Sequence, residues 1–310
     1  MTALRKHAID YINLRRKLGF KLFEPERFIN NFVTFLENEK LSFITIKSAV
    51  DWAKKPKNVL RYCWTRRLNV IRQFACYVKN IDPRNEIPPF GLLKCRQKRS
   101  KPYIYSDDEI LKLLKASLLL KSKQCIRAHT YYTIFGLLAA SGLRINEVTS
   151  ILINDIDFIE GRLIIRKTKF RKSRIVPIHK TTLQILRRYL YFRNKIKAEN
   201  KSSNFFLSEE GTNITNFTAR STFIKLSRKI GLRKSMDSFG PRLHDFRHTF
   251  AVRTIIQWYK EDADVDVQMP ILSTYLGHVK PSDTYWYLSL VPELVALAGK
   301  RFEKYLGGCK

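Results

Sequence analysis

Four short stretches gather side chains suited to an anionic phosphate: SGLRINE at 141–147, TKFRKSRIVP at 168–177, HDFRH at 244–248 and LGHVKPSDTYWY at 276–287. Arg144 and Arg247 carry planar guanidiniums that donate paired hydrogen bonds to a phosphate and stay charged. His244 and His278 titrate near neutrality, so either can hydrogen-bond an anion or accept a proton. A tyrosine hydroxyl, with a pKa of about 10, attacks phosphorus only where nearby cations favour its phenolate. Taken singly, each stretch has an ordinary structural reading. An arginine after a Gly-Leu turn commonly makes a surface ion pair, H-x-x-R can be two neighbours on one helix face, and one tyrosine among 14 usually packs. Together they need a fold that brings them to one place.

The partner can be read from charge. The 310-residue chain has a formal net charge of +31, of which residues 1–103 carry +15. An excess spread over both halves implies a polyanion that touches both, nucleic acid foremost, with binding that weakens steeply as salt rises. A basic ribosomal or nucleoid structural protein would share the charge but has no use for the four stretches. Hydrophobic residues make up 45%, enough for packed cores, which excludes a wholly disordered basic tail. The longest apolar run, 131–140, is shorter than the ~20 residues a membrane-spanning helix needs. The start, MTALRKHAID, lacks the apolar stretch of a secretory signal. Five widely spaced cysteines without a CxxC pair argue against a disulfide framework and a zinc site. With no metal cluster and no glycine-rich phosphate loop, no metal, ATP or other cofactor is expected. The expectation is a soluble cytoplasmic protein, nucleoid-associated when bound to DNA.

The elements that must position the four stretches follow from periodicity. Residues 1–80 read as four helices: a stripe of Tyr11, Leu14 and Leu18 ending at Gly19, then Phe28, Phe32, Phe35 and Leu36 on one face. A helix capped by Thr45 carries Ile46, Val50 and Ala53. A longer one turns Leu60, Trp64, Leu68, Ile71, Phe74, Ala75 and Val78 inward, leaving Arg61, Arg66, Arg67 and Arg72 on its outer sides. Residues 81–105, with five prolines-and-glycine breakers and a basic run including Lys94, Arg96, Lys98 and Arg99, read as a linker. Ser106 and Glu109 form a capping box that opens a second domain, 106–310. There, helices are expected over 127–150 (broken at Ser141-Gly142), from Thr181, and over 217–230, 245–259, 270–276 and 292–305. Three short β runs between 151 and 179 turn at Glu160-Gly161 and around 170–172. The fold class is mainly α with a small antiparallel β-sheet.

In this order and together, the four stretches resemble the tyrosine recombinase family, the phage and mobile-element integrases of the lambda-integrase type. The family's first arginine box is matched by Gly142-Leu143-Arg144 with Glu147, and its hairpin pattern K-x-x-K-x-R-x-V-P by Lys169, Lys172, Arg174, Val176 and Pro177. Its H-x-x-R-H box is matched by His244, Arg247 and His248, and its Leu-Gly-His box by His278. The family's nucleophile lies nine residues beyond that histidine, at Tyr287, with Thr284 three residues before it as the T-x-x-Y pattern prefers. The chain departs from the pattern in YKEDADVDVQMP, a longer and more acidic stretch between Arg247 and His278 than is usual. The resemblance implies an N-terminal helical core-binding domain and a C-terminal catalytic domain that cleaves and rejoins DNA through a 3′-phosphotyrosyl intermediate.

What the resemblance implies for single residues is chemically coherent. Arg144 and Arg247 would hold the scissile phosphate, Lys169 would protonate the departing 5′ oxygen, and Tyr287 would attack. Glu147 would orient Arg144 or simply pair on its helix surface, and His248 would support the box rather than react. Lys172 and Arg174 would contact the DNA backbone from the hairpin, with Arg61, Arg66, Arg67 and the basic linker on the duplex elsewhere. Tyr285 is the rival nucleophile; in a helix it would point about 200° away from Tyr287, so only one can face the phosphate. The implied partners are double-stranded DNA with paired recombination sites and further copies of the chain, a tetramer on DNA and a monomer or weak oligomer off it. The apolar positions Leu294, Leu297, Ala298, Phe302, Tyr305 and Leu306 would let the last helix dock on a neighbour, or pack on its own protomer. The alternatives are a type IB topoisomerase-like relaxing enzyme, which works without paired sites, and a non-catalytic DNA-binding protein on the same fold.

Overall fold

The computed structural model describes residues 2–95, 101–122, 126–166, 173–195, 202–237, 239–289 and 292–307. The chain divides into two units, Met1–Ser100 and Lys101–Lys310.

Unit 1 is built from α1 (Ala3–Lys17), α2 (Phe23–Asn38), α3 (Ile46–Lys54) and α4 (Arg61–Lys79). Each helix buries one stripe because its apolar residues recur at helical spacing. In α2 these are Phe28, Ile29, Phe32, Val33 and Leu36, and in α4 Leu68, Ile71, Phe74, Ala75 and Val78. Trp52 of α3 meets the rings of Phe28 and Phe32 edge-on. Thr45 caps α3 through a reciprocal box with Ser48. Two expected stripe members are corrected: Leu14 and Leu18 are exposed. The buried face of α1 is Leu4, Ala8, Tyr11 and Ile12, at i, i+4, i+7 and i+8, and the later leucines fall off its edge. Leu60 is exposed as well, since it precedes the first turn of α4 as its N-cap.

Each unit takes up part of the stretch expected as a linker. Asn85 and Glu86 accept hydrogen bonds from the backbone N–H groups of Ile44 and Ile46, and Thr65 donates to the Leu93 carbonyl. In unit 2, Tyr105 is 1% exposed.

Unit 2 starts with α5 (Asp107–Leu118), opened by the Ser106–Glu109 box that the sequence predicts. α6 (Ile126–Ser141) buries most of its residues and runs through the core, and α7 (Ile145–Thr149) follows a turn at Gly142. Strands β1 (Ile156–Asp157), β2 (Arg162–Ile165) and β3 (Arg174–Pro177) form an antiparallel sheet in that order, with Leu163 opposite Val176 and Ile165 opposite Arg174. The rest is helical: α8 (Lys180–Asn194), α9 (Asn216–Lys229), α10 (Asp245–Lys260), α11 (Val265–Leu276), α12 (Ser282–Tyr285) with a 3₁₀ turn at Trp286–Ser289, and α13 (Pro292–Gly307). No described helix is long and apolar enough to cross a membrane.

Two hydrophobic clusters divide unit 2. The larger gathers α5, α6, the sheet, α8 and α9, with Phe135, Phe205, Phe206 and Phe223 fully buried. The smaller joins α10, α11, Tyr287 and Leu294 of α13. The acidic stretch after Arg247 is mostly helix: α11 begins at Val265, earlier than the sequence suggests, capped by Asp264, whose carboxylate accepts from the N–H groups of Asp266 and Val267. Negative side chains at a helix N-terminus are stabilised by the macrodipole, which accounts for Asp264 and Asp266. α13 lies against α10 of its own chain. Leu294 is fully buried, Arg301 donates to the Ala263 carbonyl at 2.7 Å, and Phe302 stays 63% exposed.

The turn between α6 and α7 needs glycine. Gly142 has φ +60°, and a Cβ there would come 2.6 Å from Cδ1 of Phe250. Gly142→Ala combines a left-handed backbone with an overlap in a packed core. It should cost about 1–3 kcal/mol, read as a lower urea midpoint at unchanged m-value.

Candidate active site

Two helix starts and one helix end converge on the site. The turn at Gly142 makes Arg144 the N-cap of α7. Glu147, one turn on, is only 8% exposed and accepts from the Arg144 backbone N–H at 3.0 Å and its Nη1 at 2.9 Å. From the sheet, Arg174 at the start of β3 reaches the same carboxylate with Nη1 and Nη2 at 3.0 and 2.9 Å. Its Nε donates to the Tyr275 carbonyl at 2.8 Å. α10 contributes Arg247, 1% exposed, whose guanidinium donates to the carbonyls of Gly142 at 3.0 Å and Leu276 at 2.5 Å. Arg144 donates to the carbonyls of Leu276 at 3.4 Å and Gly277 at 3.2 Å. The Leu276 carbonyl, at the C-terminal end of α11, thus accepts from both arginines. A helix C-terminus carries partial negative charge on its last carbonyls, which suits two cations.

Gly277 ends α11 in the left-handed region, with φ +67°, and a Cβ there would meet the Arg174 guanidinium at 3.0 Å. The close approach places His278 beside the arginines. Its Nδ1 lies 2.6 Å from the Thr284 hydroxyl. That contact gives a physical reason for a threonine three residues before the tyrosine. Tyr287 sits in the 3₁₀ turn, 2% exposed, with its hydroxyl 3.2 Å from Nδ1 of His248. Tyr285, two residues earlier, is 40% exposed. His244 caps α10, and its ring stands perpendicular to that of His248 at 4.8 Å between centroids.

The electrostatics follow from burial and charge. Burial pushes the Glu147 carboxyl up, but the hydrogen bonds from Arg174 and the Arg144 backbone, with both guanidinium charges, outweigh it and hold it below the usual carboxylate range. Arg247 is lowered to about 10 by burial and by Arg144, and so remains charged at neutrality. Burial raises the Tyr287 hydroxyl despite the opposing pull of Arg247 and Arg144, so the tyrosine is protonated at neutral pH in this state. His278 is lowered to about 4 by burial and by Arg247 and Arg144, and His248 to about 3 by burial, His244, Arg242 and Arg247. His244 moves in the same direction, through desolvation within the site and Arg247.

Of the residues singled out by sequence, Arg144, Glu147, His244, Arg247, His248, His278 and Tyr287 meet here. Lys169 and Lys172, like Arg96, Lys98 and Arg99, lie outside the described residues. Arg174 is corrected from a DNA-facing side chain to an inward one: its strand register turns it to Glu147, and its side chain is 12% exposed. Arg67 is likewise not on an outer face. Its guanidinium lies 3.7 Å from the centre of the Trp52 ring and donates to the Trp52 carbonyl. Arg66 is exposed and pairs with Glu24, while Arg61 and Lys94 are exposed. Among the described residues, no group of three His, Cys, Asp or Glu side chains is placed to hold a metal ion.

Sequence reasoning missed two supports of α10. Asp245, 1% exposed, accepts from the backbone and guanidinium of Arg242. Tyr105 stacks on Phe246 at 4.5 Å and donates to the Arg242 carbonyl at 2.9 Å. The i,i+3 spacing of Arg242 and Asp245 was a readable signal. The Tyr105 contact joins segments 137 positions apart, and no local pattern reveals it.

The profile of the phage integrase family matches residues 105–293. A protein of Sinorhizobium fredii named as an integrase/recombinase, y4rB, is 45% identical over 98% of both chains. The tyrosine recombinase XerC of Thermodesulfovibrio yellowstonii is 27% identical, covering 81% of this chain and 79% of its own. Among solved structures, the Tn1549 transposon integrase in complex with transposon right end DNA aligns with a TM-score of 0.67 at 19% identity, over 98% of this chain and 99% of that one. The XerH site-specific recombinase bound to palindromic difH substrate aligns with a TM-score of 0.63 at 17% identity, over 90% and 78%.

Removing one partner of the buried Glu147 cluster should be costly. Arg174→Ala leaves Glu147 with Arg144 alone and strands a half-filled cavity, a loss of about 3 kcal/mol, measurable by urea unfolding. A second outcome concerns pH. His248 and His278 are neutral in the fold until well below the ~6.5 of an unfolded histidine, so the unfolded chain binds their protons first as pH falls. Their contribution to stability is complete above pH ~6.5 and is lost as pH drops toward 4. The melting temperature of the full chain should fall over that window, and His278→Asn should flatten the fall.

Proposed function

This chain belongs to the phage integrase family, and on that footing we propose that it is a site-specific DNA recombinase that cleaves and rejoins strands through a 3′-phosphotyrosyl intermediate. The observation that carries the reading is the meeting of Arg144 and Arg247 on the Leu276 carbonyl, beside His278 and the buried Tyr287. These residues come from three separate stretches, and their convergence sets two guanidiniums beside a hydroxyl.

The scissile phosphate binds between the two guanidiniums, which donate to its non-bridging oxygens. Negative charge grows on those oxygens as the Tyr287 oxygen bonds to phosphorus, and fixed donors there stabilise the transition state more than the ground state. Losing one such donor costs about 10²–10³ in rate. Lys169 donates a proton to the departing 5′ oxygen, and the bond energy is kept in the phosphotyrosyl ester, so rejoining needs no ATP or metal. Lys172, Arg61, Lys94, Arg96, Lys98 and Arg99 contact the DNA backbone. A net charge of +31 supports duplex contacts by both units. The relatives named as recombinases and integrases extend over nearly the whole chain, which does not favour the relaxing-enzyme reading.

The working complex brings paired DNA sites together in a tetramer of this chain, acting in the cytoplasm. α13 packs on its own α10 in the monomer; in the assembly its exposed Val295 and Phe302 supply apolar area for a neighbouring copy.

Tyr287→Phe removes one oxygen atom. It should abolish the covalent protein–DNA adduct, scored as a protease-sensitive gel shift under denaturing conditions, and leave duplex affinity within about twofold. Tyr285→Phe should retain the adduct. An adduct that persists in Tyr287→Phe and disappears in Tyr285→Phe overturns the assignment of the nucleophile.

A further inference from the structure

Tyr287 cannot attack phosphorus while it keeps its proton, and burial makes that proton harder to lose. Three imidazoles stand near enough to be considered, and their contacts separate them. His278 is tied through Nδ1 to Thr284 at 2.6 Å, and its ring lies nearly parallel to that of Tyr287 at 6.2 Å. His244 caps α10, with its ring perpendicular to that of His248 at 4.8 Å between centroids. His248 alone among them has a ring nitrogen at hydrogen-bond distance from the tyrosine oxygen, 3.2 Å. Resting on the recombinase reading, we propose that His248 is a further catalytic residue, the base that takes the Tyr287 proton during cleavage and returns it on rejoining.

The placement is rigid. His248 follows Arg247 directly on α10, so one helix fixes both the phosphate-binding arginine and the base. The ring is wedged between Trp286, edge-on at 5.8 Å, and Tyr287 at 5.6 Å. With its proton on Nε2, the ring presents the Nδ1 lone pair to the hydroxyl. The groups facing it are His244 and Arg247 on its own helix, Arg242 from the turn before it, His278 from the end of α11, and Tyr287. All but the tyrosine are cations or become cations in acid, so they disfavour a protonated His248. A phosphodiester anion seated at Arg144 and Arg247 offsets that field, and the histidine gains basicity only when DNA is in place. Without DNA the proton stays on Tyr287.

The step balances without any outside reagent. The tyrosine O–H bond breaks and its proton passes to Nδ1 of His248. The tyrosine oxygen forms its bond to phosphorus as the bond from phosphorus to the 5′ oxygen breaks, and that oxygen leaves with the proton from the acid assigned to Lys169. Rejoining runs the same transfers in reverse.

The test uses the full chain and, as probe, a nicked duplex bearing the sequence that the wild-type protein traps covalently from sheared DNA. His248→Asn places an amide oxygen that can accept the tyrosine hydrogen bond but cannot carry its proton away. Single-turnover adduct formation at pH 7 should fall about 10²–10⁴-fold, with duplex affinity and melting temperature near wild type. The residual rate should rise about tenfold per pH unit toward pH 9, as hydroxide replaces the missing base, while wild type stays level. A rate within threefold of wild type, or a slow variant whose rate does not rise with pH, overturns the proposal, since hydrogen bonding alone then explains the contact. If the asparagine variant melts lower, His248→Gln and restoration of His248→Ala by added imidazole give the same reading. A wild-type protein that traps no DNA overturns the recombinase reading and this assignment together, whereas an active wild type matched by His248→Asn removes this assignment alone.

Discussion

One buried carboxylate holds the site together. Glu147 accepts from Arg144 on α7 and from both terminal nitrogens of Arg174 on β3, so a helix start and a sheet edge are fixed to each other through two oxygens. Without it, Arg144, Arg174 and Arg247 would repel one another in a partly desolvated space. With it, Arg174 becomes a bracket: one side holds Glu147, and its Nε holds the Tyr275 carbonyl just before the turn that carries His278. The cost of burying these charges is offset only because every oxygen of the carboxylate is occupied. The same geometry leaves a surplus of positive charge held in fixed positions, an arrangement suited to a phosphate anion.

The backbone adds what the side chains alone do not. The carbonyls of Leu276 and Gly277, at the end of α11, accept from the two arginines and orient them. Gly277 is needed twice there, for a left-handed helix end and for the room its missing Cβ leaves to Arg174. Gly142 does the same on the opposite side, giving its carbonyl to Arg247 while its own Cα lies against Phe250. Two glycines therefore set the spacing between guanidiniums that come from stretches about a hundred residues apart.

Burial gives the site its resting state. Tyr287 belongs to the same small core as Leu294 and the inner face of α10, so its hydroxyl is held, protonated, against neutral histidines. Those histidines stay neutral because the arginines beside them and the loss of water both penalise a further positive charge. On the reading proposed above, a bound phosphate anion would offset that field and couple readiness for chemistry to the arrival of DNA.

Much of this was legible in sequence. Helical periodicity and capping residues gave α2, the Thr45 and Ser106 starts, the break at Gly142 and the small sheet, because these depend on near neighbours. The three stretches with Arg144, Arg247, His278 and Tyr287 were readable for the same reason: their residue types and spacing are local. Leu14, Leu18, Arg67 and Arg174 were misplaced because a stripe or a basic pattern does not say where a face ends or which partner waits beneath it. Sequence alone determined the composition of the site, its charge and the order of its parts. Only the tertiary structure decided that Arg174 turns inward to Glu147, that Thr284 fixes His278, and that His248 rather than its neighbours touches the Tyr287 hydroxyl. Those contacts join positions from 6 to 39 residues apart along the chain, and their energy comes from burial and alignment that exist once the segments have packed.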